Sequence, residues 1–575
     1  MITRIELENF KGIRDRVGLG LKPITLLFGA NSSGKSTVIH ALHYALEVLR
    51  HQNLDADRTT LGGESVDLGG FRSLVHGHDL DRRISMFFAF DVPGSLGVPG
   101  EAEPGGVCEA LDERVENAWV RLEIGWSRTR GEPVVFVYEL GVDGRGREPL
   151  MRIEAGTSRG QVASLVLRVD DGVFGEADDD GQNAVVHLVE EAGWPVRDGL
   201  AGATLHQRSA LPDWGRALPL AHPDDEAPSP ALSELRAGLS MLAVGLGERL
   251  TSELERLVYL GPLRTVPPRG YRPPLTEALA RWPEGLAAWD ALYKHGPDLL
   301  ARVNRWMEAL GTGYRLELRE LREVDKGLTR QLENLVALRS NQPRPFKGGG
   351  NMPAPVKVGG NTPPRTAGAR RTTRKATTLE DEVARFLDAV QAAPTRRTLV
   401  LVDDRTGVAL EPSDVGVGIS QVLPILVAAV HRGRSGAGRF VLVEQPELHI
   451  HPKLQVNLAD LFIEQSRAGS LSEHTFLLET HSEHILLRLL RRIREASETV
   501  DDDTKGAPED ELGDEEGEAA PSPVPFGPDR LSVVYVQRAA DGSTEFVPLR
   551  VDENGEFLDL WPEGFFDERM GELFG

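Results

Sequence analysis

The sequence holds one cysteine, Cys108, in 575 residues. A lone thiol forms no disulfide within the chain and supports no cysteine-based zinc site; it suits a reducing compartment, the cytoplasm. Long apolar runs are also missing. VLPILVAAV, at 422–430, is well short of the ~20 residues that cross a bilayer. The opening MITRIELENFKGI is charged and strand-like, unlike a secretion signal. These absences exclude a membrane pump. An excess of basic charge is lacking too: the formal net charge is −23. Any contact with nucleic acid therefore needs a local basic patch. No heptad pattern persists and no internal repeat is found, so no long coiled coil is expected. What remains is globular in composition, 40% hydrophobic and 27% charged. The length predicts a large core with insertions, or roughly two to three domains.

The chain opens with an alternating strand over Ile2 to Leu7, a turn at Lys11-Gly12 and an apolar strand, ITLLF. A glycine-rich loop and a helix from about Ser36 to Leu49 follow, making a strand–loop–helix unit. Between Arg82 and Asp171 the segments ISMFFAFDV, AWVRLEIGW, PVVFVYELGV and SLVLRVDD predict antiparallel strands. From Pro230 to Leu338 the pattern is helical. TLVLVDDRTGVAL predicts a hairpin, and RFVLVEQPE and HTFLLETHSEH predict buried strands leading into functional loops. The expected division is an N-terminal lobe over 1–200, a helical insertion over 201–395 and a C-terminal lobe over 396–575. Within these, Asn341 to Thr378 is a basic Gly/Pro/Thr-rich linker without acidic residues, expected to be mobile. It suits a phosphate backbone, a partner or plain solvent equally well. The stretch 495–523 is acidic and is expected to be a surface loop.

GANSSGKST, Gly29 to Thr37, carries the most chemistry. It fits G-x-x-x-x-G-K-[ST] and lies where that motif must lie, after an apolar strand and opening a helix. Gly29 and Gly34 let the backbone curl so that the N–H groups of Asn31, Ser32 and Ser33 face phosphate. Lys35 supplies positive charge to the β- and γ-phosphates, the helix start near Ser36 and Thr37 favours the anion, and the Ser36 hydroxyl ligates Mg²⁺. FVLVEQPELHIHP has the Walker B arrangement, with Glu444 placed to hold Mg²⁺ through water. Gln445 stands where a glutamate usually polarises the attacking water. An amide takes no proton from water, so hydrolysis by that route should be slow; Glu447 is the nearest substitute base, and Gln445 is left to orient water. In DVGVGISQVLPIL, Gly416, Gly418, Ser420 and Gln421 open an apolar helix in the manner of an ABC signature, which contacts the γ-phosphate bound on another subunit. His481, just past a strand end, suits a switch histidine that reports the γ-phosphate. A metal site from His449, His451, His481 and His484 is the rival, lacking a carboxylate or cysteine to complete it.

With these motifs the chain resembles the SMC/RecF/OLD-related branch of prokaryotic ABC-type ATPases. VYLGPLRTVPPRGY, VGVGISQVLPIL, LVEQPELHIHP and the ending FLDLWPEGFFDE are similar to an AAA-type subfamily whose C-terminal domain has no assigned function, and in which glutamine at the Gln445 position is usual. The resemblance implies an α/β ABC-ATPase head with an antiparallel β lobe and a helical insertion. It further implies ATP and Mg²⁺, a homodimer or higher even-numbered oligomer closing on nucleotide, and an effector partner such as a nuclease or toxin in bacterial antiphage defence. DNA is an open partner. The rivals are an ATP-bound scaffold without turnover and an OLD-like nuclease with an unrecognised metal site. The acidic strand end and later D-x-D of OLD nucleases are not found, since Asp501 to Asp503 lie in the acidic stretch.

Overall fold

In the computed structural model, the described residues are 1–97, 99, 106–142, 148–156, 162–175, 183–220, 229–276, 278–322, 329–333, 335–336, 379–393, 395–432, 438–467, 473–503 and 526–562. The chain divides into a main unit, Met1–Leu316 with Leu401–Gly575, and a smaller unit, Glu317–Val400.

The main unit is α/β and holds two large sheets. The first is nine-stranded and antiparallel throughout. It runs from Val17–Gly20 and Ile2–Glu8 at one edge, through Arg83–Asp91, Asn117–Ser127 and Glu132–Val142, to Val196–Arg197 at the other. Arg83–Asp91 alternates, burying every second residue from Ile84 to Phe90, whereas Glu132–Val142 is buried along almost its whole length.

The second sheet positions the site. Its order is Leu257–Leu260, Phe440–Glu444, Thr475–Glu479, Ile24–Phe28, Leu531–Arg538, Thr544–Leu549. The first five strands are parallel and the last turns back antiparallel. ITLLF and TFLLE are buried along their whole length, as parallel strands covered on both faces are. The helix Ser36–His51 buries twelve of its sixteen residues. Its Val38, Leu42 and Leu49 share one apolar core with Leu442 and Val534 of the parallel sheet and Phe88 and Val120 of the antiparallel one. Each such side chain contributes about 1.5–3 kcal/mol when fully buried, so the helix that begins at the glycine-rich loop is anchored from both sides.

The segment with a helical pattern also supplies a strand. Leu257–Leu260 follows the helix Leu246–Glu255 and pairs in parallel with Leu257 opposite Phe440. An apolar run this short has no periodicity of its own, and tertiary pairing decides its state. The acidic stretch differs as well: the helix Glu483–Asp503 carries residues 495–503. Arg491 and Arg492 both pair with Glu495, which extends the helix through i,i+4 and i,i+3 contacts. The rest of that stretch, residues 504–523, and the basic linker 341–378 lie outside the described residues. TLVLVDDRTGVAL forms the expected hairpin, with Leu401 opposite Leu410.

In the smaller unit the described residues include the helix Leu379–Ala392. Arg322 donates to the Val390 carbonyl at 2.6 Å and Arg397 to Glu320 at 3.2 Å.

Candidate functional site

The loop from Gly29 to Lys35 joins the strand Ile24–Phe28 to the helix Ser36–His51. Its curl needs glycine at two places. Gly29 has φ +140° and Gly34 has φ +109°. A Cβ at Gly29 would stand 2.1 Å from the Val536 carbonyl oxygen, and one at Gly34 would stand 2.6 Å from Thr544 Oγ1. Those two neighbours belong to the C-terminal hairpin, which braces the loop from outside. Arg538 donates to the Ser32 carbonyl at 2.9 Å, and Thr544 Oγ1 to the Ser33 carbonyl at 3.1 Å.

Inside the loop, Lys35 Nζ donates to the carbonyls of Gly29 and Ala30, both at 2.9 Å, and lies 3.8 Å from Glu479 Oε1. Burial holds its pKa below the ordinary lysine value, against the pull of Glu479. The helix start has no side-chain cap, although the Thr37 N–H already donates to the Gly34 carbonyl at 3.0 Å and the Val38 N–H to the Lys35 carbonyl at 3.4 Å. The Ser33 hydroxyl is buried without a hydrogen-bond partner among the described residues. A buried polar atom left this way costs free energy unless a ligand meets it.

Two carboxylates face this loop. Glu444 and Glu479 end neighbouring parallel strands in register. Ser36 Oγ donates to Glu479 Oε2 at 2.8 Å, and Tyr259 donates its hydroxyl to Glu444 Oε1 at 3.0 Å. Burial, then the charge of Glu479, pushes the Glu444 carboxyl up to about 7; burial also raises Glu479. Sequence reasoning assigned Glu444 and passed over Glu479, although FVLVE and TFLLE carry the same signal, an apolar strand ending in glutamate. Ser36 with these carboxylates forms a set of hard oxygen donors fitting Mg²⁺. Among the described residues no three His, Cys, Asp or Glu side chains gather as a metal site. His451 instead caps the helix Pro452–Gln465, accepting from Lys453 N.

The next turn carries the remaining candidates. Gln445 has φ +45° and its N–H donates to the Glu479 carbonyl at 2.7 Å. Glu447 is engaged through both oxygens: Oε2 accepts from Thr480 Oγ1 at 2.7 Å and Oε1 from the His481 N–H at 2.8 Å. It therefore ties the Walker B turn to the His481 loop. His481 is held below the usual histidine pKa by burial and by Lys35, and its Nε2 has no partner among the described residues.

The helix Val417–Val430 is placed differently. Gly416 and Val417 are exposed, the latter at 58%, whereas Ser420 and Gln421 are buried. Ser420 Oγ donates to the Val417 carbonyl at 2.8 Å. The Gln421 amide is committed to the backbone of Arg264, accepting from its N–H at 3.2 Å and donating to its carbonyl at 2.7 Å. Gly418 packs against the His449 carbonyl. Among the described residues no hydrogen bond joins Gly416, Gly418, Ser420 or Gln421 to Gly29–Thr37; the glycine-spaced helix start meets the turn after Glu444 through His449 and Arg264 instead.

A glycine-curled loop with its lysine and serine, on a parallel sheet with two strand-end carboxylates beside it, defines a P-loop NTPase. Three segments match family models: 1–70 "AAA ATPase domain", 295–487 "AAA domain, putative AbiEii toxin, Type IV TA system", and 527–574 "Protein of unknown function (DUF3696)". The chain thus carries segments similar to AAA ATPase domains and a segment similar to DUF3696. No curated protein matches it. Similar solved structures include an SMC head bound to the C-winged helix domain of ScpA, at 9% identity and TM-score 0.35, covering 96% of this chain and 98% of that one. The SMC head domain from Thermotoga maritima matches at 9% identity and TM-score 0.33, covering 96% and 99%. An SMC head with an extended coiled coil bound to the C-terminal domain of ScpA, from Pyrococcus furiosus, matches at 10% identity and TM-score 0.33, covering 100% and 98%. No described helix is long and apolar enough to cross a membrane.

Proposed function

We propose that the chain is an ATP-binding, slowly hydrolysing ABC-type ATPase that acts as a nucleotide-gated switch between two copies of itself. The observation that carries this is Glu479 at the mouth of the curled loop, ion-paired with Lys35 and hydrogen-bonded by Ser36. The three supply a cation for phosphate and oxygen ligands for Mg²⁺ at one point. Ser36, Glu444 and Glu479 would hold Mg²⁺, which would supply positive charge to neutralise the phosphates. The chain's own part is to offer phosphate the N–H groups of the loop that make no bond within it, those of Ser33 and Thr37 already donating to Ala30 and Gly34, to place Gln445 and His481 near the terminal phosphate, and to exclude water around Glu444.

Dimerisation is supported by the exposed start of the helix Val417–Val430. Gly416 and Gly418, with Ser420 and Gln421 shaping the turn behind them, present a helix N-terminus outward, where a nucleotide held by Lys35 and Ser36 of a second copy would meet it. Higher even-numbered assemblies use the same contact. The family description that names a type IV toxin–antitoxin system supports a defence role with an effector, nuclease or toxin, as partner. The lone buried Cys108 suits the cytoplasm.

A second reading is favoured by the Walker B turn. Gln445 takes no proton, and both oxygens of Glu447 already accept hydrogen bonds. A chain without a free base holds ATP as a scaffold for an effector. Phosphate release in a single turnover, with molar mass by light scattering, separates the two. ATP-driven assembly with release lost in Lys35→Ala supports the switch. Assembly with release no faster than in Lys35→Ala supports the scaffold, and a monomer indifferent to ATP-Mg²⁺ defeats both.

A further inference from the structure

Arg264 lies in the loop after the strand Leu257–Leu260, within LGPLR, and is 3% exposed. A guanidinium is rarely buried without partners that compel it. Here its Nη2 donates to the Glu444 carbonyl at 2.7 Å, while Nε and Nη1 have no acceptor among the described residues. Burial lowers its pKa to about 10, with the charges of Glu447 and Glu444 pulling the other way. The cation is therefore placed against the turn that carries Glu444, Gln445 and Glu447. The backbone of the same residue makes the two hydrogen bonds with the Gln421 amide. Gly285 closes the contact: a Cβ there would stand 2.9 Å from Pro424 Cγ and 3.3 Å from Arg264 Cβ. One residue thus grips the Walker B turn with its side chain and the glycine-spaced helix with its backbone.

We propose that Arg264 is the positioning residue through which nucleotide at the P-loop of one copy sets the helix start Gly416–Gln421 that meets the nucleotide of another. This deepens the switch reading and rests on it for the role of that helix. The physical route is short. A ligand at Lys35 and Ser36 alters the charge facing Glu444 and Glu479, and the Glu444 carbonyl is held by Arg264. Arg264 is tied to Gln421 by two hydrogen bonds, and Gly285 leaves no spare room between it and Pro424, so a shift of Arg264 is passed to the helix. The two unmet N–H groups mark this as an arrangement that a shifted turn satisfies better, by bringing further acceptors to the guanidinium.

The test uses the full chain, with hydrogen–deuterium exchange over 417–424 before and after ATP-Mg²⁺, fluorescent-nucleotide affinity, and light scattering. In the wild type, ATP-Mg²⁺ slows exchange there by at least ~5-fold, the lower end of ordinary coupling. Arg264→Gln still binds nucleotide, but the ATP-dependent protection disappears; Arg264→Lys, which keeps a cationic donor, restores part of it. Gln421→Ala cuts the same link from the helix side, and the double variant loses no more protection than either single one. If Arg264→Gln does not fold, Gln421→Ala alone carries the test, because it leaves the buried cation in place. Full ATP-dependent protection in Arg264→Gln, or in Gln421→Ala, overturns the proposal. Wild-type protection in a chain that stays monomeric upholds the coupling and defeats the dimer. Nucleotide binding without wild-type protection defeats the coupling and leaves the dimer to be judged by light scattering. Absence of nucleotide binding defeats both.

Discussion

Glu444 and Glu479 stand opposite each other at the ends of two parallel strands, and Ser36 of the P-loop helix is hydrogen-bonded to Glu479. This places a second carboxylate in the proposed Mg²⁺ shell. Glu479→Gln should weaken Mn²⁺ binding in the presence of nucleotide by about 10-fold, the loss of one charge-assisted contact. Electron paramagnetic resonance titration of Mn²⁺ measures it. An unchanged affinity, with loss only in Glu444→Gln, would return the metal to Glu444 alone.

Lys35 braces the loop through two carbonyls as well as offering charge. Lys35→Ala should therefore weaken ATP binding by about 100-fold, the loss of a strong ionic hydrogen bond plus a slackened loop. Fluorescent-nucleotide titration reads this directly, and retained affinity would refute the phosphate-binding assignment.

In the proposed function Gln445 stands where a carboxylate would accept a proton from water. Gln445→Glu should raise phosphate release at least ~10-fold, a modest share of what a general base supplies. The substitution is nearly isosteric, so the backbone at φ +45° is left as it is. No gain in rate would show that Gln445 is not placed to act on water.

Acid should unfold the protein through its buried histidines. Burial lowers His43, His431 and His474 to about 3 and His40 to about 4. In the unfolded chain histidines titrate near 6.5, so between pH 6.5 and 3 the unfolded state binds more protons and stability falls as pH falls. Each such group contributes a slope of about 1.4 kcal/mol per pH unit. His474 accepts from the Arg439 N–H through Nδ1, which requires the neutral ring. His474→Gln should flatten the slope by one proton in urea unfolding at pH 4.5, 5.5 and 7.5; an identical slope would place its titration outside that window.

Gly34→Ala meets both a φ of +109° and Thr544 Oγ1. It should cost about 1–3 kcal/mol in thermal unfolding. Gly131→Ala, also at positive φ but with open space around it, serves as the comparison for backbone strain alone.

Much of this site was legible before any coordinates. GANSSGKST and FVLVEQPE state their chemistry locally, because a curled loop and a strand end are made by adjacent residues. Glu479 carries the same local signal in TFLLE, an apolar strand ending in glutamate. Arg264 and Thr544 were not legible in that way. Their roles come from contacts across 157 and 511 positions, and no local pattern encodes which distant partner a buried arginine or a hairpin threonine will meet. The strand Leu257–Leu260 was hidden for the same reason: four apolar residues after a helix become a strand only when Phe440–Val443 lies alongside.

The bracing of the P-loop by the C-terminal hairpin bears on how the protein is made. Ser32 leaves the ribosome 506 residues ahead of Arg538, the side chain that holds its carbonyl. At ~5–20 residues per second that interval is about 25–100 s. Throughout it the nascent chain has the nucleotide-binding sequence without the strand and hairpin that shape it. On the proposed function, competence to bind ATP therefore waits until the DUF3696 segment emerges and folds back onto a loop made long before.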